Sequence, residues 1–301
     1  MKKTLLVILG PTGVGKTDLS IELATYFQTV IISCDSRQLF KEMHIGTAVP
    51  DQEQLAAVPH FFVQSVSVKD YFNCWEFEQQ ALCRIKELFL ERDVVVMTGG
   101  SMMYIDAVCQ GIDEIPDVDP EVRQSVMQMY QEKGLEFMRL LLKRLDPVFY
   151  GMVDLKNAKR VMHAVEICLT TGKSYSSLRT GIRKERDFSI IKIGLNRDKD
   201  ELYARINARV DEMFRQGLEE EARSLYPLRY LNALNTVGYK ELFDFFDEKT
   251  DREEAIRLIK RNTRRYAKKQ LSWFRRDTSI TWFHPSQKQE ILDFVVNHFI
   301  T

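Results

Sequence analysis

Short apolar segments alternate with polar or glycine-containing turns in the first hundred residues. Segments 4–9, 30–34 and 94–98 are almost wholly apolar and have the length of buried β-strands. The first is followed by an amphipathic segment at 18–27, which indicates a helix. In parallel α/β sheets, ligands bind beyond the carboxyl ends of the strands. The pattern therefore predicts a parallel α/β sheet with a functional site at that edge.

The pattern changes to helical periodicity between residues 116 and 185, and a strand pattern returns at 189–195. We therefore predict a core of residues 1–115 and 186–301, with helices on both faces of its sheet and basic helices near its end. An all-helical subdomain is inserted into this core at 116–185.

A phosphate-binding motif stands between the first strand and the first helix. The pattern GxxxxGK followed by Ser or Thr is matched in full by Gly10, Pro11, Thr12, Gly13, Val14, Gly15, Lys16 and Thr17. Glycines let backbone N–H groups converge on phosphate oxygens, and a helix N-terminus adds about half a positive charge. Lys16 would supply a full charge to the terminal phosphate, and the Thr17 hydroxyl would bind Mg²⁺.

The reaction depends on the polar cluster after the second strand, Asp35, Ser36, Arg37 and Gln38, because a phosphate loop by itself names no reaction. Asp35 could hold a metal through water, as in nucleotide hydrolases. The whole cluster could instead read the edge of a base and accept a proton from it. An ATP-dependent kinase of a nucleoside or small molecule and a nucleotide-dependent RNA-binding switch also remain open.

Composition narrows the class of protein. The 301 residues include 43 Lys+Arg and 43 Asp+Glu, for a net charge of zero, and 45% are hydrophobic, which is typical of a globular protein and excludes disordered and collagen-like classes. The apolar run at 5–9 is too short for an export signal or a membrane span. The five cysteines have no zinc spacing. We expect a cytoplasmic protein with no membrane association and no obligate protein partner.

The positive charges are concentrated near the end of the chain. Nine Lys or Arg and no Asp or Glu stand between residues 255 and 276, and their spacing places most of them on one helical stripe. A solvated helix face usually carries both signs, so this stripe favours contact with a nucleic-acid backbone. Acidic stretches at 113–121 and 244–254 offset it in the net charge.

Over nearly its whole length the sequence resembles the tRNA dimethylallyltransferases, also called isopentenyl-tRNA transferases. The matching blocks, in family order, are 10–17, 35–38, 45–48, 99–104, 119–123, 157–166, 237–241 and 269–275. The resemblance implies a P-loop NTPase-like fold and Mg²⁺ as cofactor. It also implies transfer of a dimethylallyl group from dimethylallyl diphosphate to N6 of the adenosine 3′ of the tRNA anticodon, with release of diphosphate.

The resemblance also implies roles for individual residues. Asp35 matches the general base, Ser101 stands beside the target adenosine where the family commonly has Thr, and Arg209 matches a diphosphate clamp. Arg205 shares its helix face with Arg209, and it is either a second clamp or a solvated, ion-paired side chain. The positions assigned to tRNA contacts in this way are Asp35, Ser36, Arg37, Gln38, Ser101, Arg123, Lys159, Arg160, Val161, Met162, His163, Gly238, Tyr239 and Lys240. The basic stripe adds Arg261, Arg265 and Arg275 as expected contacts with the tRNA backbone.

Overall fold

A six-stranded parallel sheet forms the centre of the computed structural model, which describes residues 2–300 except for the side chains of 299 and 300. The strands are β1 (Thr4–Leu9), β2 (Ile31–Ser33), β3 (His60–Phe61), β4 (Val94–Gly99), β5 (Ser189–Leu195) and β6 (Ile280–Phe283). Their order across the sheet is β3-β2-β4-β1-β5-β6, and every pairing is parallel. The predicted parallel α/β class is confirmed.

Thirteen α-helices accompany these strands in the described part of the chain. They are α1 (Lys16–Tyr26), α2 (Gln52–Ala57), α3 (Cys74–Leu88), α4 (Met102–Gln110), α5 (Pro120–Leu145), α6 (Pro147–Met152), α7 (Ala158–Thr171), α8 (Tyr175–Leu178), α9 (Lys199–Arg215), α10 (Leu218–Leu225), α11 (Tyr239–Phe246), α12 (Arg252–Phe274) and α13 (Lys288–Ile300). Two 3₁₀ turns, Tyr226–Leu228 and Asn232–Leu234, join α10 to α11.

Both faces of the sheet are covered, which explains why its central strands are apolar at nearly every position. Leu5 and Val7 of β1 belong to an apolar cluster that includes residues of α3 and α4. Leu6 and Ile8 point the other way, into a cluster with residues of α1, α9 and α13. All six residues of β1 are buried, so this strand forms the middle of the core.

The sequence pattern does not predict strands β3 and β6, which form the two edges of the sheet. The first has only two residues, both half-buried, and the second has one buried residue, Ile280. Neither is long or apolar enough to separate from its surroundings by pattern. Both are defined by parallel pairing with β2 and β5, respectively.

The chain divides into two compact units. One comprises the residues up to 110 and from 186 onward, and the other is the helical segment 111–185. The change of pattern in the sequence predicts a first boundary at 116. In the structure the compact helical unit begins at Gly111, because α4 ends at Gln110 and Gly111 leaves the helix with a φ of 85°, which favours glycine.

The helical unit has an apolar core of its own, which includes Val126, Met138, Leu142 and Val161 from α5 and α7. Helix α5 is interrupted at Gly134, where φ is 74° and ψ is −177°. This separate core explains why the segment reads as a distinct helical region in the sequence.

Arg186 is the first residue of the chain after the helical unit. Its guanidinium donates to Glu78 Oε1 and to the Ala107 carbonyl, both at 2.7 Å, and to the Val108 carbonyl at 2.8 Å. The Glu78 side chain is fully buried, so this ion pair lies in the interior of the sheet unit. It fixes the returning chain to the end of α4.

Candidate active site

The phosphate loop occupies the carboxyl end of β1, as predicted. Gly10 has a φ of 148°, and a Cβ placed there would lie 2.6 Å from the Leu195 carbonyl oxygen, so only glycine allows this close approach. The Lys16 ammonium donates to the carbonyl oxygens of Gly10 (3.1 Å) and Pro11 (2.9 Å). The loop therefore holds its lysine against its own backbone.

The electrostatics around Lys16 fit a site for a polyanion. Burial lowers the pKa of Lys16 to about 8 from 10.5; the Asp35 carboxylate partly opposes this shift and the Arg209 guanidinium adds to it. Burial likewise lowers the pKa of Arg209, with Asp35 opposing and Arg205 adding to the effect. Burial makes the charged forms of Lys16 and Arg209 unfavourable, and an anion that binds between them stabilises those charged forms.

The strand order brings the predicted polar cluster next to the phosphate loop. β4 separates β1 from β2, so the residues after β2 and those after β1 lie on either side of its glycine turn. Asp35 Oδ1 accepts from the backbone N–H groups of Arg37 (2.9 Å) and Gln38 (3.4 Å). These bonds orient the carboxylate at the edge of the sheet.

Ser101 is bonded to the loop that follows Asp35. Its hydroxyl accepts from the Ser36 backbone N–H at 2.7 Å and donates to the Ser36 hydroxyl at 3.0 Å, and only 7% of the residue is exposed. Among the described residues, the lining of the two large cavities does not include it. In this structure Ser101 orients the loop after Asp35, and its hydroxyl is already engaged.

Arg205 and Arg209 of α9 both face the phosphate loop. The Arg205 side chain donates to the Gly13 carbonyl at 3.0 Å, and Arg209 lies 3.5 Å from the Ala48 carbonyl oxygen. Arg205 is therefore not paired with the acidic residues beside it on the helix. Both line the cavity described next.

Two cavities meet beside Asp35. The first, about 970 Å³, is lined by the phosphate loop, the carboxyl end of β4 and the face of α9 that carries both arginines. The second, about 550 Å³, is lined by residues around Ser36, Gly238 and Arg265. The residues common to both linings are Thr12, Asp35, Thr47, Ala48, Arg209, Met213 and Tyr266. A group bound in either cavity can therefore reach the same carboxylate.

Two residues of α12 contribute to the site without having been singled out by the sequence. Gln270, which is 2% exposed, accepts from the Thr12 N–H at 2.9 Å and donates to the Gly100 carbonyl at 2.8 Å. Tyr266 lines both cavities, and burial, reinforced by Asp35, raises its pKa to about 12. Their spacing of four residues places them on one helix face, and this spacing is the one feature of the sequence that could have indicated a shared role.

The basic stripe on α12 is partly neutralised. Lys260 pairs with Asp211 of α9 at 2.5 Å, and Arg257 pairs with Glu254 at 2.6 Å. Within residues 2–300, seven cations of the stripe make no ion pair, namely Arg261, Arg264, Arg265, Lys268, Lys269, Arg275 and Arg276. The unpaired part of the stripe is therefore shorter than the sequence indicated.

The positions assigned to tRNA contacts differ in how exposed their side chains are. Tyr239 is fully buried and donates to Glu221, whereas Gly238 and Lys240 line the second cavity. Val161 is fully buried in the helical unit and Met162 is half-buried there. The remaining positions in that unit are exposed, namely Arg123, Lys159, Arg160 and His163.

The residues around Thr17 could bind Mg²⁺ only together with oxygen ligands from a substrate. Among the described residues, no cluster of three His, Cys, Asp or Glu side chains could hold a metal ion. Mg²⁺ commonly binds through one or two protein oxygens, substrate phosphates and water, and Thr17 lines the cavity together with Asp35. The donor set is therefore compatible with a metal that arrives with a diphosphate. No helix in the described chain is long and apolar enough to cross a membrane.

Comparison with known proteins identifies the family of this chain. The family model for IPP transferase matches residues 38–277. A protein of Phocaeicola vulgatus named tRNA dimethylallyltransferase 1 is 54% identical over 99% of this chain and 100% of its own length. A Bacteroides fragilis protein of the same name is 55% identical over 97% of each chain.

A solved structure supports the same grouping at the level of the fold. The full-length tRNA isopentenylpyrophosphate transferase of Bacillus halodurans superposes with a TM-score of 0.71 at 34% identity, covering 98% of this chain and 96% of that one. Sequence and architecture thus agree from end to end, and the chain belongs to the IPP transferase family.

Proposed function

We propose that this protein transfers a dimethylallyl group from dimethylallyl diphosphate to N6 of the adenosine 3′ of the anticodon in tRNA. The observation that carries the proposal is the meeting of two cavities at Asp35, one with a phosphate loop and the other with exposed cations at its rim. A diphosphate donor and a base that enter from the two sides reach the same carboxylate. A cytoplasmic location, where tRNA is found, is part of the proposal.

The diphosphate binds in the first cavity. Backbone N–H groups of the phosphate loop and the ammonium of Lys16 receive its oxygens, and Arg209 and Arg205 flank them from α9. The allylic C1–O bond breaks as these cations stabilise the charge on the departing diphosphate. The Thr17 hydroxyl would hold Mg²⁺, which would supply further charge neutralisation at the diphosphate.

The target adenine enters the second cavity, leaving its stack in the anticodon loop. Its exocyclic amine attacks the allylic carbon, forming the N6–C1 bond, and Asp35 accepts the N6 proton. The base must deliver this amine next to the phosphate loop, which the shared wall of the cavities permits. Products are N6-dimethylallyladenosine in tRNA and free diphosphate.

The tRNA backbone contacts unpaired cations of the basic stripe, namely Arg261 and Arg265 of α12 and Arg275 just after it. It also contacts the exposed cations Arg123, Lys159 and Arg160 of the helical unit. Phosphate contacts of this kind fix the register of the RNA while the loop base is read in the cavity.

Incubation with dimethylallyl diphosphate, Mg²⁺ and an unmodified anticodon stem-loop tests the proposal, with mass spectrometry of the digested nucleosides. We expect a prenylated adenosine. A stem-loop with another base at the target position and the variant Lys16→Met are the matched controls, and both should give none. Transfer of phosphate from ATP without any prenylated adenosine would contradict the proposal and favour a kinase.

A further inference from the structure

The segment 44–48 forms part of the wall between the two cavities but belongs to no helix or strand. Ile45, Thr47 and Ala48 line the first cavity, and Gly46, Thr47 and Ala48 line the second. Ala48 has a φ of 51°, a left-handed conformation that costs free energy in a residue other than glycine. Something outside the segment must therefore hold it in place.

One carboxylate holds the first three residues of the segment. Glu221 accepts from three consecutive backbone N–H groups, those of His44 (3.0 Å), Ile45 (2.7 Å) and Gly46 (2.9 Å). It also accepts from the Tyr239 hydroxyl at 2.6 Å. Hydrogen bonds to an ionised acceptor are stronger than neutral ones, and the carboxylate stands in the first turn of α10, where the helix dipole favours it.

The shape of the segment depends on the same contacts. A Cβ on Gly46 would lie 2.7 Å from the ring and hydroxyl atoms of Tyr239, so the backbone is pressed directly against this buried side chain. Tyr239 is fixed in turn because Glu241 accepts from the Gly238 N–H at 2.8 Å and from the Asn262 amide at 2.7 Å. The family blocks at 45–48 and 237–241 thus meet through Glu221, which lies outside both.

The far end of the segment is tied to the reaction site. The Gln38 amide donates to the carbonyl oxygens of Thr47 (3.2 Å) and Ala48 (2.8 Å). Gln38 also donates its backbone N–H to Asp35 at 3.4 Å. A shift of the segment at Glu221 would therefore move the wall beside the carboxylate that serves both cavities.

We propose that Glu221 is a positioning residue for prenyl transfer. It fixes the 44–48 segment so that the allylic carbon of the donor and the incoming amine meet beside Asp35. No hydrogen bond joins Glu221 to the phosphate loop among the described residues, and the segment approaches the diphosphate clamp only where Arg209 lies 3.5 Å from the Ala48 carbonyl. Glu221 therefore acts mainly on the geometry of the reacting groups and much less on diphosphate binding. This inference rests on the proposed function.

The test compares Glu221→Gln with Glu220→Gln, which makes the same charge change at the exposed neighbouring position. Steady-state kinetics with dimethylallyl diphosphate and the stem-loop give kcat and KM, and calorimetry gives the affinity for inorganic diphosphate. We expect Glu221→Gln to lower kcat by about 10- to 100-fold, since a displacement of about 1 Å can cost that much. Affinity for inorganic diphosphate should fall far less than kcat, and Glu220→Gln should match wild type in both.

Tyr239→Phe provides a second variant, because it removes a single hydrogen bond to Glu221 and keeps the ring against Gly46. It should lower kcat in the same direction by less, and the double variant should be no worse than Glu221→Gln alone. Wild-type kcat in Glu221→Gln would overturn the inference. An equal loss of affinity for inorganic diphosphate would also overturn it, since that is the signature of general destabilisation. Failure of the wild-type protein to transfer the prenyl group would instead refute the proposed function.

Discussion

The buried amide of Gln270 accepts a hydrogen bond from the backbone N–H of Thr12 at 2.9 Å, across 258 positions of sequence. Its other end donates to the Gly100 carbonyl at 2.8 Å. One side chain of α12 thereby joins the phosphate loop to the glycine turn after β4. The shape of the diphosphate site depends on this link as well as on the loop's own glycines.

Replacing Gln270 by Leu should weaken the site and the fold together. The substitution removes the partner of the half-buried Thr12 N–H and leaves the buried Gly100 carbonyl unpaired, and an unpaired buried polar group costs about 1–3 kcal/mol. We expect a lower free energy of unfolding in urea and weaker binding of inorganic diphosphate by calorimetry. Lys268→Gln, at an exposed position of the same helix, is the control. A Gln270→Leu protein with wild-type affinity would show that the loop is held by other contacts.

Asp35→Asn should separate chemistry from binding. The amide oxygen can still accept from the Arg37 N–H, so the loop keeps its shape, but the side chain no longer takes up a proton. We expect turnover to fall by about 10²–10⁴-fold, the usual contribution of general acid–base catalysis, with tRNA affinity retained. Single-turnover kinetics and filter binding measure the two effects. A large loss of tRNA affinity at unchanged turnover would assign Asp35 to binding.

Diphosphate binding should depend on pH through Lys16. Its pKa of about 8 in the folded protein lies below 10.5, so in the free protein the amine loses its charge as pH rises through 8. A bound anion favours the charged form, so binding above pH 8 should take up a proton and affinity should decline with rising pH. Calorimetry in buffers of different ionisation enthalpy measures the uptake. Lys16→Met should abolish it, and a wild-type protein without uptake at pH 9 would contradict this assignment.

The lowered pKa of Lys16 affects the free energy of unfolding in the opposite direction: stability increases with pH where diphosphate affinity decreases. The unfolded chain holds more protons than the folded one between pH 8 and 10.5, so the Lys16 contribution to the free energy of unfolding increases as pH rises through that window. Below pH 8 the contribution is constant. The difference between wild type and Lys16→Met in urea titrations should therefore change only above pH 8.

The unpaired part of the α12 stripe should determine the salt dependence of tRNA binding. Changing Arg261 and Arg265 to Ala removes two cations, and we expect the slope of log K against log salt to decrease by about one to two. Arg257→Ala is the matched control, because this arginine is already paired with Glu254. An unchanged slope in the double variant would exclude this helix from the RNA interface.

The ion pair between Arg186 and Glu78 should be important for stability. Glu78 is fully buried, and removing one partner of a buried pair typically costs about 3–5 kcal/mol. We expect Arg186→Leu to lower the free energy of unfolding by that order. Arg215→Gln, whose exposed pair with Glu212 belongs to a class worth about 0–1 kcal/mol, is the comparison. Equal effects of the two substitutions would refute the assignment.

Local sequence determined the elements that are long and strongly patterned. The apolar runs of β1, β2, β4 and β5 predicted a parallel sheet, because strands covered on both faces must be apolar throughout. The phosphate loop could also be predicted from the sequence, since its glycines and Lys16 are close together in the chain and act through local backbone geometry. The same holds for Asp35, which directly follows a buried strand.

Tertiary structure decided everything that depends on residues distant in sequence. Only the strand order shows that β4 lies between the two functional loops, and only packing shows that the Ser101 hydroxyl is already bonded to Ser36. The sequence predicts Lys260 as part of an unpaired basic stripe, but in the structure it forms an ion pair with Asp211. Charge and polarity are written in the sequence, but a side chain's partner is set by the fold.

Gln270 and Glu221 illustrate the same limit. Each is an ordinary polar residue on a helix, and neither forms a motif with the loop that it holds. Their importance comes from buried hydrogen bonds to backbone groups 258 and 175–177 positions away. Local pattern carries no record of such distances, because a backbone N–H group is present at almost every residue. The sequence thus determined which chemistry was available, and the tertiary structure decided which residues hold it in place.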